Sequence, residues 1–130
     1  MKLPLSDRLL ACAGFIKKGS RVADVGCDHG YLSLYLLQQG IASSVIASDV
    51  NEGPLQSAMR NARKFGFSDK ISFYLSNGVR NIPRDFDTLV CAGMGADTMM
   101  SNHSMYNASA RYYWRLCRDY LCSIHYRRVD

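Results

Sequence analysis

The segment Val22-Ala-Asp-Val-Gly-Cys-Asp-His-Gly30 gathers two carboxylates, a thiol, an imidazole and two glycines where a short apolar run gives way to helical spacing. Gly26 and Gly30 allow a tight turn and a close approach of bare backbone to a ligand. A helix starting near His29 would aim its free first-turn amides into the same space. This is the pattern of a small-molecule binding turn, with a purely structural turn as the lesser alternative. Its Asp-x-Gly-x-x-x-Gly spacing is neither the Gly-x-Gly-x-x-Gly of dinucleotide enzymes nor a P-loop with its Lys-Ser/Thr pair. A nicotinamide dehydrogenase is therefore disfavoured.

Groups at the ends of all four apolar runs suit the same ligand. Asp49 ends a second apolar run 19 residues after Gly30, where an acid can accept hydrogen bonds from ribose hydroxyls; the lesser alternative is a cap for the helix that begins near Glu52. Asp24, near the end of the first run, would accept turn amides or a ligand amino group, because an isolated buried carboxylate is costly. Asn77 follows a third run and either meets the edge of a heterocycle or makes a simple Asn-Gly turn. Gly93 and Gly95 open the backbone after a fourth run, and Met94 between them packs on a base or fills the core.

Asp28 and His29 form the cleft's adjacent acid and imidazole. They do not complete a nucleophile–base pair, and Cys27 alone does not make a hydrolase. Nor do they make a zinc site, since His103 and His125 are remote and no Cys-x-x-Cys occurs. The work left to Asp28 is to orient an acceptor base or to remove its proton.

The elements that must position these groups alternate. Ser6 or Asp7 can cap a helix to about Phe15 with Leu9, Leu10 and Ala13 on its apolar face. A strand is expected over Arg21–Val25 and a helix over Tyr31–Gln39, stopped by Gly40. A second strand follows at Val45–Asp49. A helix over Glu52–Phe65 holds Gly53-Pro54 in its first turn, where proline is tolerated, and Gly66 closes it. Strands at Lys70–Leu75 and Phe86–Cys91 complete the alternating part. Such alternation implies a parallel sheet with right-handed crossovers.

Residues 98–130 read differently, with no glycine or proline after Gly95 and 5 of the 8 tyrosines between 106 and 126. Asn107 could cap a helix from Ala108 to about Leu121, and Ser123–Val129 could extend as an edge strand. The net charge of +5 permits a polyanionic partner. Residues 1–100 hold 11 basic against 9 acidic side chains and residues 101–130 hold 5 against 2, so the tail carries the larger surplus. Five cysteines without a signal-like leader fit a reducing compartment better than a disulfide framework. No apolar run is long enough to span a bilayer. A cytoplasmic protein is expected.

Taken together, the Val22–Leu32 motif, Ala47-Ser-Asp-Val-Asn-Glu-Gly-Pro-Leu-Gln-Ser-Ala58, Ser76-Asn-Gly78 and Cys91-Ala-Gly-Met-Gly-Ala96 resemble the bacterial tRNA (adenine-N1)-methyltransferases that modify adenine 22. The resemblance covers roughly residues 5–97. It implies an α/β, Rossmann-like class I methyltransferase fold with strand order 3-2-1-4, and S-adenosylmethionine as cofactor. Asp24, Gly26 and Gly30 would line its methionine portion, with Cys27 and Ala92 counted among the cofactor-binding positions. Asp49 would hold the ribose, Val50 would lie by the adenine, and Asn77 and Gly78 would sit beside the ring. Asp28 and His29, with Gly93, Met94 and Gly95, would face the methyl group and the incoming base; Asp28, His29 and Met94 are the candidate catalytic residues. Arg8 would meet RNA phosphate.

The resemblance also implies two regions: residues 1–97 as the cofactor-binding domain, and residues 98–130 as a divergent basic tail. The recognisable sheet is expected to stop after the fourth strand, leaving an edge open to self-association. An active tRNA methyltransferase, a truncated noncatalytic cofactor- or RNA-binding module and an inactive fragment are the readings compatible with these features.

Overall fold

In a computed structural model, residues 3–92, 112–117 and 122–127 are described, with side chains described over residues 3–91. Helix α1 spans Asp7–Gly14, and Ser6 caps it by accepting a hydrogen bond from the Leu9 amide at 3.3 Å. Strand β1 (Ser20–Val25) leads through the glycine turn into α2 (Tyr31–Gln38). Strand β2 (Ala42–Asp49) begins three residues earlier than the apolar run suggests. There, Ala42 and Ser44 find β1 partners in Ser20 and Arg21, so backbone pairing extends the strand beyond its hydrophobic core. Helix α3 (Glu52–Phe65) has the expected bounds and ends on Gly66 at φ 80, whose amide donates to the Ala62 and Arg63 carbonyls of the last turn.

Strands β3 (Ile71–Leu75) and β4 (Thr88–Ala92) complete the parallel set, in the order β3-β2-β1-β4. This is the arrangement implied by the sequence. The parallel set ends at β4, but the sheet continues: β5 (Tyr112–Cys117) and β6 (Cys122–Arg127) form an antiparallel hairpin, with β6 paired to β4. The helix expected from Ala108 to Leu121 is thus replaced by strand over 112–117. Tyr112, Tyr113 and Trp114 favour extended backbone when a pairing partner is available, and helical spacing does not register that partner. Nor is the extended segment after 122 an edge strand, since β6 lies between β4 and β5. The β4 edge expected to be open is occupied by the chain's own hairpin. Asn107, Gly93, Met94 and Gly95 lie outside the described residues.

The two faces of the sheet bury separate clusters. On one, Val22, Val45, Ala47, Ile71 and Val90 pack under the three helices with Leu32, Leu36, Leu55, Ala58 and Ala62. On the other, Ala23, Val25, Leu89 and Cys91 pack against Val79, Ile82 and Phe86 from the connection before β4. Strand β1, central in the parallel set, is buried on both faces apart from Arg21, as parallel strands require. Leu10, expected on the apolar face of α1, is 42% exposed; Ala13 is buried as expected, and Cys12 is buried with it. Cys12 is disulfide-bonded, where the sequence favoured a reducing compartment over a disulfide framework, and Cys27 is a buried free thiol. Linear spacing does not tell which thiols tertiary packing brings within bonding reach.

Candidate functional site

The carboxyl ends of β1 and β2 and the turn after β3 open into a cavity of about 560 Å³. It is lined by residues 24–29 with Tyr31 and Leu32, by residues 49–51 with Pro54, by residues 76–78, and by Arg8 and Leu9 from α1. Ligands of open parallel sheets bind at this end, where strand order reverses. Of the described candidate positions, Arg8, Asp24, Gly26, Cys27, Asp28, His29, Asp49, Val50, Asn77 and Gly78 all line this cavity. Gly30 sits behind it as the left-handed N-cap of α2, at φ 81, and Ala92 ends β4.

The first turn is held by β2. The Gly26 and Cys27 amides both donate to the Ser48 carbonyl, at 2.9 and 2.8 Å. The Asp28 amide donates to Asp49 Oδ2 at 2.9 Å, and Asp49 Oδ1 accepts from the Asn51 amide at 2.9 Å. Asp49 therefore organises two loops at once rather than simply capping α3, whose N-cap is Asn51. Each carboxylate oxygen retains acceptor capacity for a ligand hydroxyl. Asp28 pays for this arrangement with a left-handed backbone, φ 55, uncommon for a residue with a side chain.

Asp24 does not collect the turn amides, one of the two roles expected of it. It is 1% exposed and accepts a 2.6 Å hydrogen bond from the Ser33 hydroxyl. Burial lifts its carboxyl from 3.8 to about 6; the Ser33 bond pulls it down, and the negative Asp49 and Asp28 push it up again. A ligand cation would favour its charged form. Burial, reinforced by Asp24, Asp49 and Asp28, also drives the Cys27 thiol far upward, which removes it as a nucleophile at neutral pH.

Asp28 and His29 stand at the mouth of the cavity, with side chains 71% and 47% exposed and His29 Nε2 3.7 Å from Asp28 Oδ1. Arg8 enters from α1, and its Nε is buried with no hydrogen-bond partner among the described residues. The turn after β3 is shaped by Ser76, whose hydroxyl donates to the Gly78 carbonyl at 2.8 Å and accepts from the Asn81 amide at 3.1 Å. Gly78 takes φ 61 there, so the Ser-Asn-Gly turn needs its glycine. Sequence reasoning missed Ser33, Asn51, Pro54 and Ser76. Ser33 carried the signal of a small hydroxyl among leucines, and the other three lay within the quoted motifs without a role assigned to them.

A crossover sheet of this order with an acid-lined cavity at its carboxyl end defines a Rossmann-like, small-molecule-binding α/β protein. Residues 5–110 match the family model described as "Methyltransferase domain". The chain belongs to this methyltransferase-domain family. It is 38% identical over 95 residues to the tRNA (adenine(22)-N(1))-methyltransferase of Bacillus subtilis, covering 72% of this chain and 40% of that protein. A ribosomal protein L11 methyltransferase of Syntrophomonas wolfei is 33% identical over 85 residues, covering 65% of this chain and 27% of its own length. Among solved structures, the adenine-22 tRNA methyltransferase of B. subtilis superposes with a TM-score of 0.76 at 26% identity, covering 99% of this chain and 68% of that one. The chain thus spans about two-fifths of the length of the curated B. subtilis relative.

Proposed function

We propose that the cavity binds S-adenosylmethionine and that the chain takes part in methyl transfer to N1 of an adenine in tRNA, adenine 22 by its similarity to the B. subtilis protein. The observation that carries this reading is Asp49, 7% exposed at the end of β2, reaching the cavity while its carboxylate holds the turn that presents Asp28 and His29. The other lining residues fit the same ligand. The unpartnered Arg8 Nε suits a carboxylate, so Arg8 serves the cofactor's amino-acid end as readily as an RNA phosphate. Buried Asp24 suits an ammonium group, and Val50, 56% exposed beside Asn77 and Gly78, offers an apolar face to adenine. The volume lies within the range of small-molecule sites, about 300–1,000 Å³.

When bound, S-adenosylmethionine supplies an electrophilic methyl group on a cationic sulfur. The protein's work is then placement, with no covalent intermediate on a side chain. Asp28 is exposed at the mouth, where its carboxylate can accept a hydrogen bond or a proton from the exocyclic amine of the incoming base. A base-paired N1 is blocked, so the target adenine must be unpaired or extruded, at a cost of about a few kcal/mol. Met94, with Gly93 and Gly95, is proposed to complete the base side of the cavity, with residues 1–97 as the cofactor-binding domain and 98–130 as an appended segment. A cytoplasmic location accompanies a tRNA substrate, and among the described residues no helix is long and apolar enough to cross a membrane. Self-association would use the outer strands β3 or β5.

Calorimetric titration with S-adenosylhomocysteine tests the cofactor, and transfer of labelled methyl to unmodified tRNA tests the activity. Saturable binding and transfer that falls roughly 100-fold or more in Asp28→Asn are expected. Absence of binding by a folded sample would overturn the reading. Binding without transfer would identify a noncatalytic binding module instead.

A further inference from the structure

The Asp28–His29 pair is held from α3 by side chains that none of the foregoing uses. Asn61 donates from Nδ2 to the His29 carbonyl at 2.9 Å, and one turn earlier the Ser57 hydroxyl lies 2.9 Å from His29 Nδ1. Between them Ala58 abuts Gly30, where an added Cβ would come within 2.9 Å of the alanine Cβ. One face of α3 therefore grips the strained turn at three consecutive points: the ring and carbonyl of His29 and the backbone of Gly30. From the β2 side, Asp49 holds the Asp28 amide. An exposed pair whose first residue, Asp28, holds a left-handed backbone does not keep one orientation unaided.

With Ser57 holding Nδ1, the ring turns its other nitrogen toward Asp28. Nε2 faces Asp28 Oδ1 at 3.7 Å. A neutral imidazole that turned its Nε2 lone pair to that carboxylate would oppose two negative ends; one that turns Nε2–H to it does not. Nδ1 is then the acceptor and the Ser57 hydroxyl the donor.

We infer that Ser57 and Asn61 are positioning residues for the Asp28–His29 pair, Asn61 fixing the turn and Ser57 holding the ring so that Asp28 selects the Nε2–H tautomer of His29. One Asp28 oxygen thereby faces an N–H at 3.7 Å, and the other is kept for the amino group of an incoming base. This substrate consequence rests on the methyltransferase reading above; the tautomer does not.

Long-range proton–nitrogen NMR of the full chain, uniformly labelled with nitrogen-15 and held above the titration of imidazole, reads the tautomer directly. The His29 ring is identified by its disappearance in His29→Gln. Native chain is expected to show a protonated Nε2 and a bare Nδ1. Ser57→Ala and Asn61→Ala, folded by circular dichroism, should relax toward the mixed tautomers of a free imidazole, and Ser57→Thr, which keeps the hydroxyl, should retain the native pattern. A native ring protonated on Nδ1, a pattern unchanged in Ser57→Ala or Asn61→Ala, or its loss in Ser57→Thr would overturn the inference. S-adenosylhomocysteine binding by the same samples separates the two claims. Lost binding with the tautomer pattern intact strikes the methyltransferase reading alone, whereas binding with an unchanged Ser57→Ala spectrum strikes the positioning role alone.

Discussion

Gly30→Ala is expected to destabilise the chain through two separable penalties. Gly30 holds φ 81, a conformation that costs an L side chain roughly 1–2 kcal/mol. Its new Cβ would also lie 2.9 Å from Ala58 Cβ and 3.3 Å from Ala58 Cα. Relief requires α3 itself to move, and overpacking of this kind costs about 1–3 kcal/mol. The sum is roughly 2–5 kcal/mol, a large share of the about 5–15 kcal/mol that holds an ordinary domain together. Gly66→Ala supplies the reference, because Gly66 has φ 80 with nothing within 4 Å of an added methyl and so incurs the first penalty alone. Ala58→Gly removes the obstructing methyl at a cost of about 1 kcal/mol in helix propensity. Combined with Gly30→Ala, it should therefore recover much of the overpacking loss. Urea unfolding of the four variants, followed by circular dichroism, gives the free energies. A Gly30→Ala chain no less stable than Gly66→Ala, or a double variant without favourable coupling, would refute the contact between turn and helix.

The Asp24 carboxyl keeps its proton up to about pH 6 when folded, against 3.8 ordinarily. Stability tied to that proton is fully present below 3.8 and is lost as pH rises through 6. Relative to Asp24→Asn, which retains an acceptor for Ser33, the native chain should lose on the order of 3 kcal/mol across that window; parallel urea curves at about pH 4 and 7 check it. Asp49→Ala removes the acceptor of the Asp28 and Asn51 amides. Since one hydrogen bond to a charged group is worth about 1.5–3 kcal/mol, S-adenosylhomocysteine binding should weaken at least about tenfold by calorimetry. Equal affinity would remove Asp49 from the site. The buried Cys27 thiol, with its titration driven upward, should resist iodoacetamide in the folded chain and react once urea unfolds it. Peptide mass mapping that found Cys27 labelled as fast in the folded chain would contradict its burial.

The alternating elements from Asp7 to Ala92 were legible because each carries a local signal: Ser6 as a cap, Gly66 as a stop, and apolar runs of strand length between them. The tail was not. Tyr112-Tyr-Trp-Arg-Leu-Cys117 satisfies a helical spacing and an extended propensity alike, and the strand it forms depends on pairing with β6, itself paired to β4. The site divides in the same way. Asp24, Asp49, Asn77 and the two turn glycines announce themselves at strand ends. The sequence alone also brought Asp28 and His29 together, since neighbours in the chain remain neighbours in space.

Only the folded chain decided what each of these groups does. That Asp49 grips the Asp28 amide 21 residues away, that Ser33 rather than the turn satisfies Asp24, and that α3 reaches back through Ser57, Ala58 and Asn61 to hold His29 and Gly30 all depend on contacts across elements. Propensity and periodicity are properties of a chain and its near neighbours. Hydrogen-bond partners and burial are set by packing, and it is packing that turned a plausible ligand turn into a cavity with its acid and imidazole held at the mouth.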